Sequence, residues 1–165
     1  MYSIGEKIIY GSLGVMEIVD ISDQTVGDLT KKYYVLKEHD SSSSSLTYVP
    51  LDNESLTAQM KPLLTTDEIL EVINRAKDEP DIEWIDDNRA RSELYKKIIS
   101  SFDRVKMLAM INSIYRAAKK REEEGKKNYI SDENLMKRAE KLIYSEFSIV
   151  LGIPESEIPA FIENN

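Results

Sequence analysis

The hydrophobic pattern of this chain changes its period near Thr65, and this change constrains the fold more than any other feature. Before it, short runs of β-branched and aromatic residues are separated by glycine, serine and aspartate, a pattern typical of a small sheet. After it, apolar residues recur three and four positions apart, as on amphipathic helices. The 165 residues therefore predict an α+β protein with a β-rich first half and a helical second half, in one domain or two small ones.

The first half of the chain is predicted to contain four strands, because β-forming residues cluster in four places. These are residues 8–10, 15–21, 32–37 and 46–50. Turn residues separate the strands at 11–14, 22–24 and 27–28. The five serines at 41–45 are too polar for a core and predict a hairpin tip. Residues 52–62 are predicted to link the two halves.

The second half of the chain is predicted to be all helical. Its first helix begins at Thr65, which forms a capping-box pair with Glu68, and ends before Pro80. Later helices are predicted at 91–99, from an N-cap at Ser101 to 124, from an N-cap at Ser131 to Gly152, and at 154–162. Phe147 lies on the predicted apolar side of the fourth of these helices.

The residue types exclude several classes of site. The chain has no cysteine and one histidine, which excludes disulfides, cysteine nucleophiles, thiolate zinc sites and multi-histidine metal sites within one chain. His39 lacks a catalytic partner, and local ion pairing or a helix cap explains the pair Asp86 and Asp87. We therefore expect no enzyme activity, no cofactor and no metal. The absence of a basic-then-apolar leader and of long apolar runs predicts a cytoplasmic protein without membrane contact.

Charge is distributed unevenly along the chain. The net charge of −8 argues against binding to nucleic acid, because phosphates attract lysine and arginine. Residues 84–145, however, carry 15 basic and 10 acidic side chains between two acidic segments. Solvated helix faces are one explanation, and a DNA-contacting surface is the other.

Trp84 is the only tryptophan, and it follows the helix break at Pro80. Two interpretations stay open for it. Trp84 is a core anchor that packs the helices together, since tryptophan is mostly buried, or it is an exposed wedge that inserts at base steps of the minor groove. Cations that could contact phosphates near such a wedge are Arg89, Arg91, Lys96 and Lys97.

Several short motifs occur in the order of a known family. Residues 4–10 are similar to its GD-x-V-V-Y start, and residues 11–15 to its P-x-H-G-V segment. Residues 33–36 match its Y-Y-V-L strand, and residues 46–50 stand where its strand ends in Val-Pro or Ile-Pro. Trp84 falls where the family has a tryptophan followed by basic residues. Over essentially its whole length, the chain resembles the CarD/CdnL family of bacterial transcription regulators.

The resemblance implies two domains, residues 1–60 and 61–165. The first is expected to be a Tudor-like β-barrel that binds the β subunit of RNA polymerase, a module that also occurs in transcription-repair coupling factor. The second is expected to be a helical domain that contacts promoter DNA at the upstream edge of the transcription bubble, where Trp84 enters the minor groove with little sequence specificity and helps to hold the open complex. The implied polymerase-binding residues are Tyr34, Leu46, Thr47, Tyr48, Val49 and Pro50. The implied DNA-binding residues are Trp84, Arg89, Arg91, Lys96 and Lys97.

The sequence departs from the family pattern in three places. The proline of the family's first turn is absent, with Gly11 and Ser12 in that region. Residues 85–88 separate Trp84 from its basic neighbours, and Tyr48 stands where the family often has arginine. One alternative is a protein-interaction module that binds polymerase or another partner without touching DNA. Another is a small enzyme that uses Asp86, Asp87 or His39. A monomer is expected, with a domain-swapped dimer as the alternative.

Overall fold

The computed structural model describes residues 1–165, which divide into two compact units, Met1–Leu63 and Leu64–Asn165. The first unit is an antiparallel sheet and the second is helical, which confirms the predicted α+β class. The predicted boundary after residue 60 falls inside a strand, Met60–Pro62, that pairs with the first strand of the sheet. Backbone pairing therefore carries residues 61 and 62 into the first unit.

Five strands form the sheet, one more than the sequence predicts. They are β1 Lys7–Tyr10, β2 Val15–Val26, β3 Leu29–Glu38, β4 Leu46–Pro50 and β5 Met60–Pro62. Their order is β4-β3-β2-β1-β5, and every neighbouring pair is antiparallel. The predicted small barrel thus takes the form of a sheet in which β4 and β5 each have one hydrogen-bonded neighbour.

The hairpin of β2 and β3 is longer than predicted. Ser22, Asp23 and Gln24, predicted as a turn, continue β2 and pair with residues 31–33 of β3. The chain reverses only at Gly27, whose φ of +64° suits a tight hairpin. The polar residues were misleading because this part of the ribbon is exposed, so a strand here needs no apolar face.

The predicted linker at 52–62 is also folded. Asn53 caps a one-turn helix, α1 Glu54–Thr57, by accepting a hydrogen bond from the Leu56 N–H at 3.1 Å. The chain then enters β5, where the Gly11 N–H donates to the Gln59 carbonyl at 3.2 Å. The linker prediction was wrong because a strand of three residues is too short to show a periodic pattern.

The second unit contains five helices. They are α2 Thr66–Asp78, α3 Asn88–Ser101, α4 Arg104–Glu123, α5 Ile130–Leu151 and α6 Ile158–Asn164. The capping box of Thr65 and Glu68 is confirmed, with both reciprocal hydrogen bonds formed. No helix combines the length and the apolar character needed to cross a membrane.

Four predicted helix starts are displaced. The helices predicted from 91 and 154 begin at Asn88 and Ile158, and the other two differ in their capping residues. Asp103, not Ser101, caps α4 by accepting the Lys106 N–H at 3.1 Å, whereas the Ser101 hydroxyl donates to the Ile98 carbonyl at 2.6 Å. Likewise, α5 begins at Ile130, before Ser131. The periodicity locates each helix, but the choice among neighbouring capping residues depends on contacts that the pattern does not contain.

A single apolar core holds the second unit together. Side chains from every helix of the unit contribute to it, including Ile69, Tyr95, Met110, Phe147 and Ile158. Phe147 is fully buried, as its position on the apolar side of the predicted helix requires. This core fixes the helix ends around Trp84, where the candidate site lies.

Candidate functional site

The outer side of β4 is the first candidate surface. β4 pairs only with β3, so one row of its backbone groups faces away from the sheet. Leu46 and Tyr48 point outward and are 43% and 46% exposed. Tyr48 also packs edge-on against Tyr33, with ring centroids 6.4 Å apart. The strand therefore presents free hydrogen-bonding groups together with exposed apolar side chains.

The six residues predicted for polymerase binding differ in how exposed their side chains are in the structure. Leu46, Thr47, Tyr48 and Pro50 lie on β4 and are exposed or half-buried. The Val49 side chain is buried in the sheet core, so this residue can offer a partner only its backbone. Tyr34 lies on β3 with its backbone already paired and its ring buried, and its hydroxyl accepts the Tyr2 N–H at 3.3 Å. Tyr34 is therefore not part of the candidate surface.

Trp84 is the centre of the second candidate surface. It lies between α2 and α3 and is 39% exposed, so it is neither a core anchor nor a free side chain. Its indole N–H donates to the Asp86 carboxylate at 2.9 Å. One part of the ring contacts protein, with the Arg91 guanidinium 4.1 Å and the Tyr129 ring 6.1 Å from its centroid. The rest of the ring faces solvent.

Arg91 is not available to DNA, contrary to the sequence-based prediction. Its side chain is fully buried, and its Nε donates to both carboxylate oxygens of Asp132 at 3.1 and 3.0 Å. Its Nη1 donates to the Ile85 carbonyl at 2.7 Å, and its Nη2 donates to Asn88 Oδ1 at 2.6 Å. Arg91 points inward because it lies one helical turn before the buried Tyr95 on the same face of α3.

The surroundings of this ion pair are dry. Burial raises the pKa of Tyr95, the Asp132 charge raises this pKa further, and the Arg91 charge opposes the rise. A buried guanidinium needs a compensating anion, and Asp132 supplies it. The pair therefore forms part of the architecture beneath Trp84.

The other three cations predicted for DNA binding lie on the outer part of α3. Arg89, Lys96 and Lys97 are exposed, and helical spacing places Arg89 and Lys96 on the face opposite Arg91. Lys96 also lies 3.7 Å from Glu93 in a surface ion pair. Arg89 and Lys97 form no ion pair, whereas Lys96 must leave Glu93 to meet a phosphate.

A second set of cations lies beside Trp84, and sequence reasoning missed it. The indole borders an open cleft of about 480 Å³ at the C-terminal end of α4. The other lining residues are Asp86, Ala117, Lys120, Arg121, Glu124 and Lys126. Arg121 lies 4.2 Å from the centre of the Tyr129 ring and donates to the Lys127 carbonyl at 3.0 Å. The basic run at 119–121 was the available signal, but its pattern equally fits a solvated helix face.

The acidic pair after Trp84 has local structural roles. Asp86 accepts the indole N–H, and Asp87 caps α3 by accepting the Ala90 N–H at 2.7 Å. The helix cap expected for this pair is confirmed at Asp87. His39 lies 3.4 Å from Asp40, on an exposed loop of the first unit. No cluster of three or more His, Asp or Glu side chains is arranged to hold a metal ion.

Comparison with known proteins bears on the first unit. Residues 2–63 match the family model described as the CarD-like/TRCF RID domain. The match covers all five strands and ends where the two compact units divide. No curated protein matches the chain.

Proposed function

We propose, from the membership of residues 2–63 in the CarD-like/TRCF RID domain family, that this chain is a non-enzymatic regulator of transcription. The family's domain is an RNA polymerase-interacting module, so the first unit of the chain is such a module. The finer proposal has two parts. β4 binds the β subunit of the polymerase, and the surface around Trp84 contacts promoter DNA and changes the lifetime of the open complex. The chain then works in the cytoplasm, wherever the polymerase is engaged.

The open side of β4 supports the first part. A strand with free backbone groups can extend a partner sheet by ordinary antiparallel or parallel pairing, and neighbouring side chains then select the partner. Here Leu46 and Tyr48 flank that row of groups. Aromatic residues at the centre of an interface often carry much of its binding energy. Tyr48 is therefore the side chain on which we expect binding to depend most.

Changing Tyr48→Asp should weaken binding of the full chain to the isolated β-subunit lobe by at least about 30-fold, the effect of losing one aromatic hot spot. The matched control is Leu29→Asp, because Leu29 is an exposed apolar residue of the same sheet at the far end of the β2–β3 hairpin. This control should change the Kd by no more than about twofold. Isothermal titration calorimetry measures both. Equal losses in the two variants, or no binding by the wild-type chain, would contradict the assignment of β4.

The exposed ring edge of Trp84 and the cations around it support the second part. An apolar side chain that enters a base step needs nearby cations for the flanking phosphates. Lys120, Arg121 and Lys126 border the same cleft as the indole, and α3 adds Arg89 and Lys96. Three cations from the basic middle of this acidic chain thus border the cleft beside its one tryptophan. Tethering to polymerase raises the local concentration of DNA, so modest intrinsic affinity suffices.

Removing the ring by Trp84→Ala should abolish the change that the wild-type chain makes to open-complex lifetime, while binding to the β lobe is retained. Tyr115→Ala is the control, because Tyr115 is an exposed aromatic residue on α4 of the same unit and does not line the cleft. Competitor-challenge decay of preformed open complexes measures the lifetime. An unchanged effect in Trp84→Ala would leave a polymerase-binding chain that does not act through this ring.

One observation favours a second candidate function, a module that binds polymerase without contacting DNA. Asp86 and Glu124 place two carboxylates on the cleft beside Trp84, and Lys126 already pairs with Glu124 at 3.1 Å. Both carboxylates repel phosphates. Under this alternative Trp84→Ala retains β-lobe binding and the wild-type chain leaves the open-complex lifetime unchanged.

A further inference from the structure

We propose that Arg91 is a positioning residue that holds the Trp84 indole in one orientation before any nucleic acid is bound. This inference rests on the proposed contact between Trp84 and DNA, and it assigns a role to a residue that the sequence had placed among the DNA contacts. The role follows from the acceptor to which each N–H group of the guanidinium donates. Arg91 acts through Trp84 and touches no partner itself.

Arg91 holds the backbone next to Trp84. Its Nη1 donates to the carbonyl of Ile85, the residue that follows Trp84, at 2.7 Å. Its Nη2 donates to the Asn88 side chain at 2.6 Å, at the start of α3. The guanidinium therefore ties the segment that carries Trp84 to the first turn of a helix. A lysine here could not reproduce this geometry, because one ammonium cannot span both acceptors with a planar fork.

Asp132 holds Arg91 in turn. Its carboxylate is almost fully buried and accepts the Nε–H of Arg91 through both oxygens. Because Asp132 lies in the first turn of α5, the ion pair joins α5 to α3 beneath the indole. The remaining freedom of the guanidinium is therefore small, and its plane gives the Trp84 ring a fixed surface at 4.1 Å.

Two further contacts fix the rotation of the ring. The Asp86 carboxylate accepts the indole N–H at 2.9 Å, and the Tyr129 ring lies tilted by 33° against the indole. Tyr129 is itself held between Arg91 at 4.6 Å and Arg121 at 4.2 Å. The indole is thus braced on its polar edge and on part of its ring, while the rest stays exposed.

A braced ring makes physical sense for a side chain that inserts into a partner. A mobile side chain loses rotational entropy when it is immobilised on binding, and a side chain that is already ordered does not. If loss of the brace lowers the oriented fraction to about one tenth, apparent affinity falls about tenfold. Trp84 would retain its chemical identity in such a variant and lose only its orientation.

The test uses the intrinsic fluorescence of the full chain, since Trp84 is its only tryptophan. Time-resolved anisotropy should give a squared order parameter of about 0.85 for the wild-type indole and below about 0.6 for Arg91→Lys. Arg104→Lys is the matched control, because the half-buried Arg104 pairs with the buried Glu146 at 2.7 Å in this unit and also stacks on an aromatic ring. The control should destabilise the fold without loosening the indole. Equal mobility of Trp84 in Arg91→Lys and the wild type would overturn the proposal.

A second variant keeps the test decisive if Arg91→Lys does not fold. Asp86→Ala removes only the acceptor of the indole N–H at an exposed position, and it should raise the mobility of Trp84 by a smaller amount. An unchanged order parameter in a folded Asp86→Ala variant would also count against the brace. Because anisotropy is read without DNA, a mobile indole in Arg91→Lys supports the brace even if Trp84→Ala leaves open complexes unaffected. In that case the proposed DNA contact fails and the positioning role stands.

A measurement of open-complex lifetime then connects the orientation of Trp84 to the proposed DNA contact. Arg91→Lys should reduce the effect of the chain on open-complex lifetime by about three- to tenfold at a limiting concentration, whereas Arg104→Lys should leave it unchanged. Binding to the β lobe should be the same in both variants. A full wild-type effect with a mobile indole would show that orientation before binding is irrelevant, and would overturn this part of the inference.

Discussion

Replacing Asp132 by alanine should lower the free energy of unfolding of the helical unit by about 3–5 kcal/mol, because it leaves a buried guanidinium without its anion. Arg91 is fully buried and Asp132 nearly so, and the Arg91 Nε–H is shared between both Asp132 carboxylate oxygens, at 3.1 and 3.0 Å. The variant cannot recover the loss by letting Arg91 reach water, since the Ile85 carbonyl and Asn88 hold the guanidinium in place. Urea unfolding followed by circular dichroism at 222 nm measures the change.

Asp132→Asn separates the charge from the shape. The amide keeps the size of the side chain and one hydrogen-bond acceptor for the Arg91 Nε–H, so we expect a smaller loss than in the alanine variant. Fluorescence of Trp84 gives a second probe within the same unit. A loss below about 1 kcal/mol for Asp132→Ala would mean that Arg91 is solvated or otherwise paired in solution.

The second large effect is expected for Phe147→Ala, at about 3–5 kcal/mol of unfolding free energy. The Phe147 ring is fully buried in the core that the helices of this unit share. Its removal takes apolar contacts away and leaves a cavity that helices from several directions cannot all close. Urea unfolding at 222 nm gives the midpoint, and an unchanged m value shows that the same surface is exposed on unfolding.

Tyr115→Ala is the matched control for the core variant. It also deletes an aromatic ring from a helix of this unit, but the ring is largely exposed, so the change should stay within about 0.5 kcal/mol. Similar losses for Phe147→Ala and Tyr115→Ala would show that the packing of α5 against the core is not what stabilises the unit.

These two residues show what a sequence pattern can and cannot reveal. Phe147 could be assigned to the core because apolar periodicity along one helix reports which face is buried. Arg91 was assigned to DNA binding because it is a cation close to Trp84 in the sequence, where a wedge needs partners for phosphates. Its partner Asp132 lies 41 positions further along the chain, on another helix. No local pattern connects the two, so only the packing of α3 against α5 could identify the pair.

The same distinction applies to the sheet. The strand at 46–50 was predicted with its observed bounds, because β-forming residues between a serine run and a proline define it locally. Its position at the edge of the sheet depends on the order of all five strands, which no single segment encodes. The short strand β5 was missed for the converse reason, since its pairing with β1, and not its composition, makes it a strand.

The two end strands of this sheet are not equivalent. β4 offers five residues without a charged side chain, whereas β5 has three residues and carries the exposed Lys61; each strand ends at a proline, which has no N–H to donate. If both edge strands of a sheet can pair, copies of the protein can add at either edge without limit. The short, charged β5 is the poorer of the two edges, so we expect this sheet to be extended at β4 and to terminate an assembly there. Even two copies that met through β4 would close as a pair, and growth would stop there.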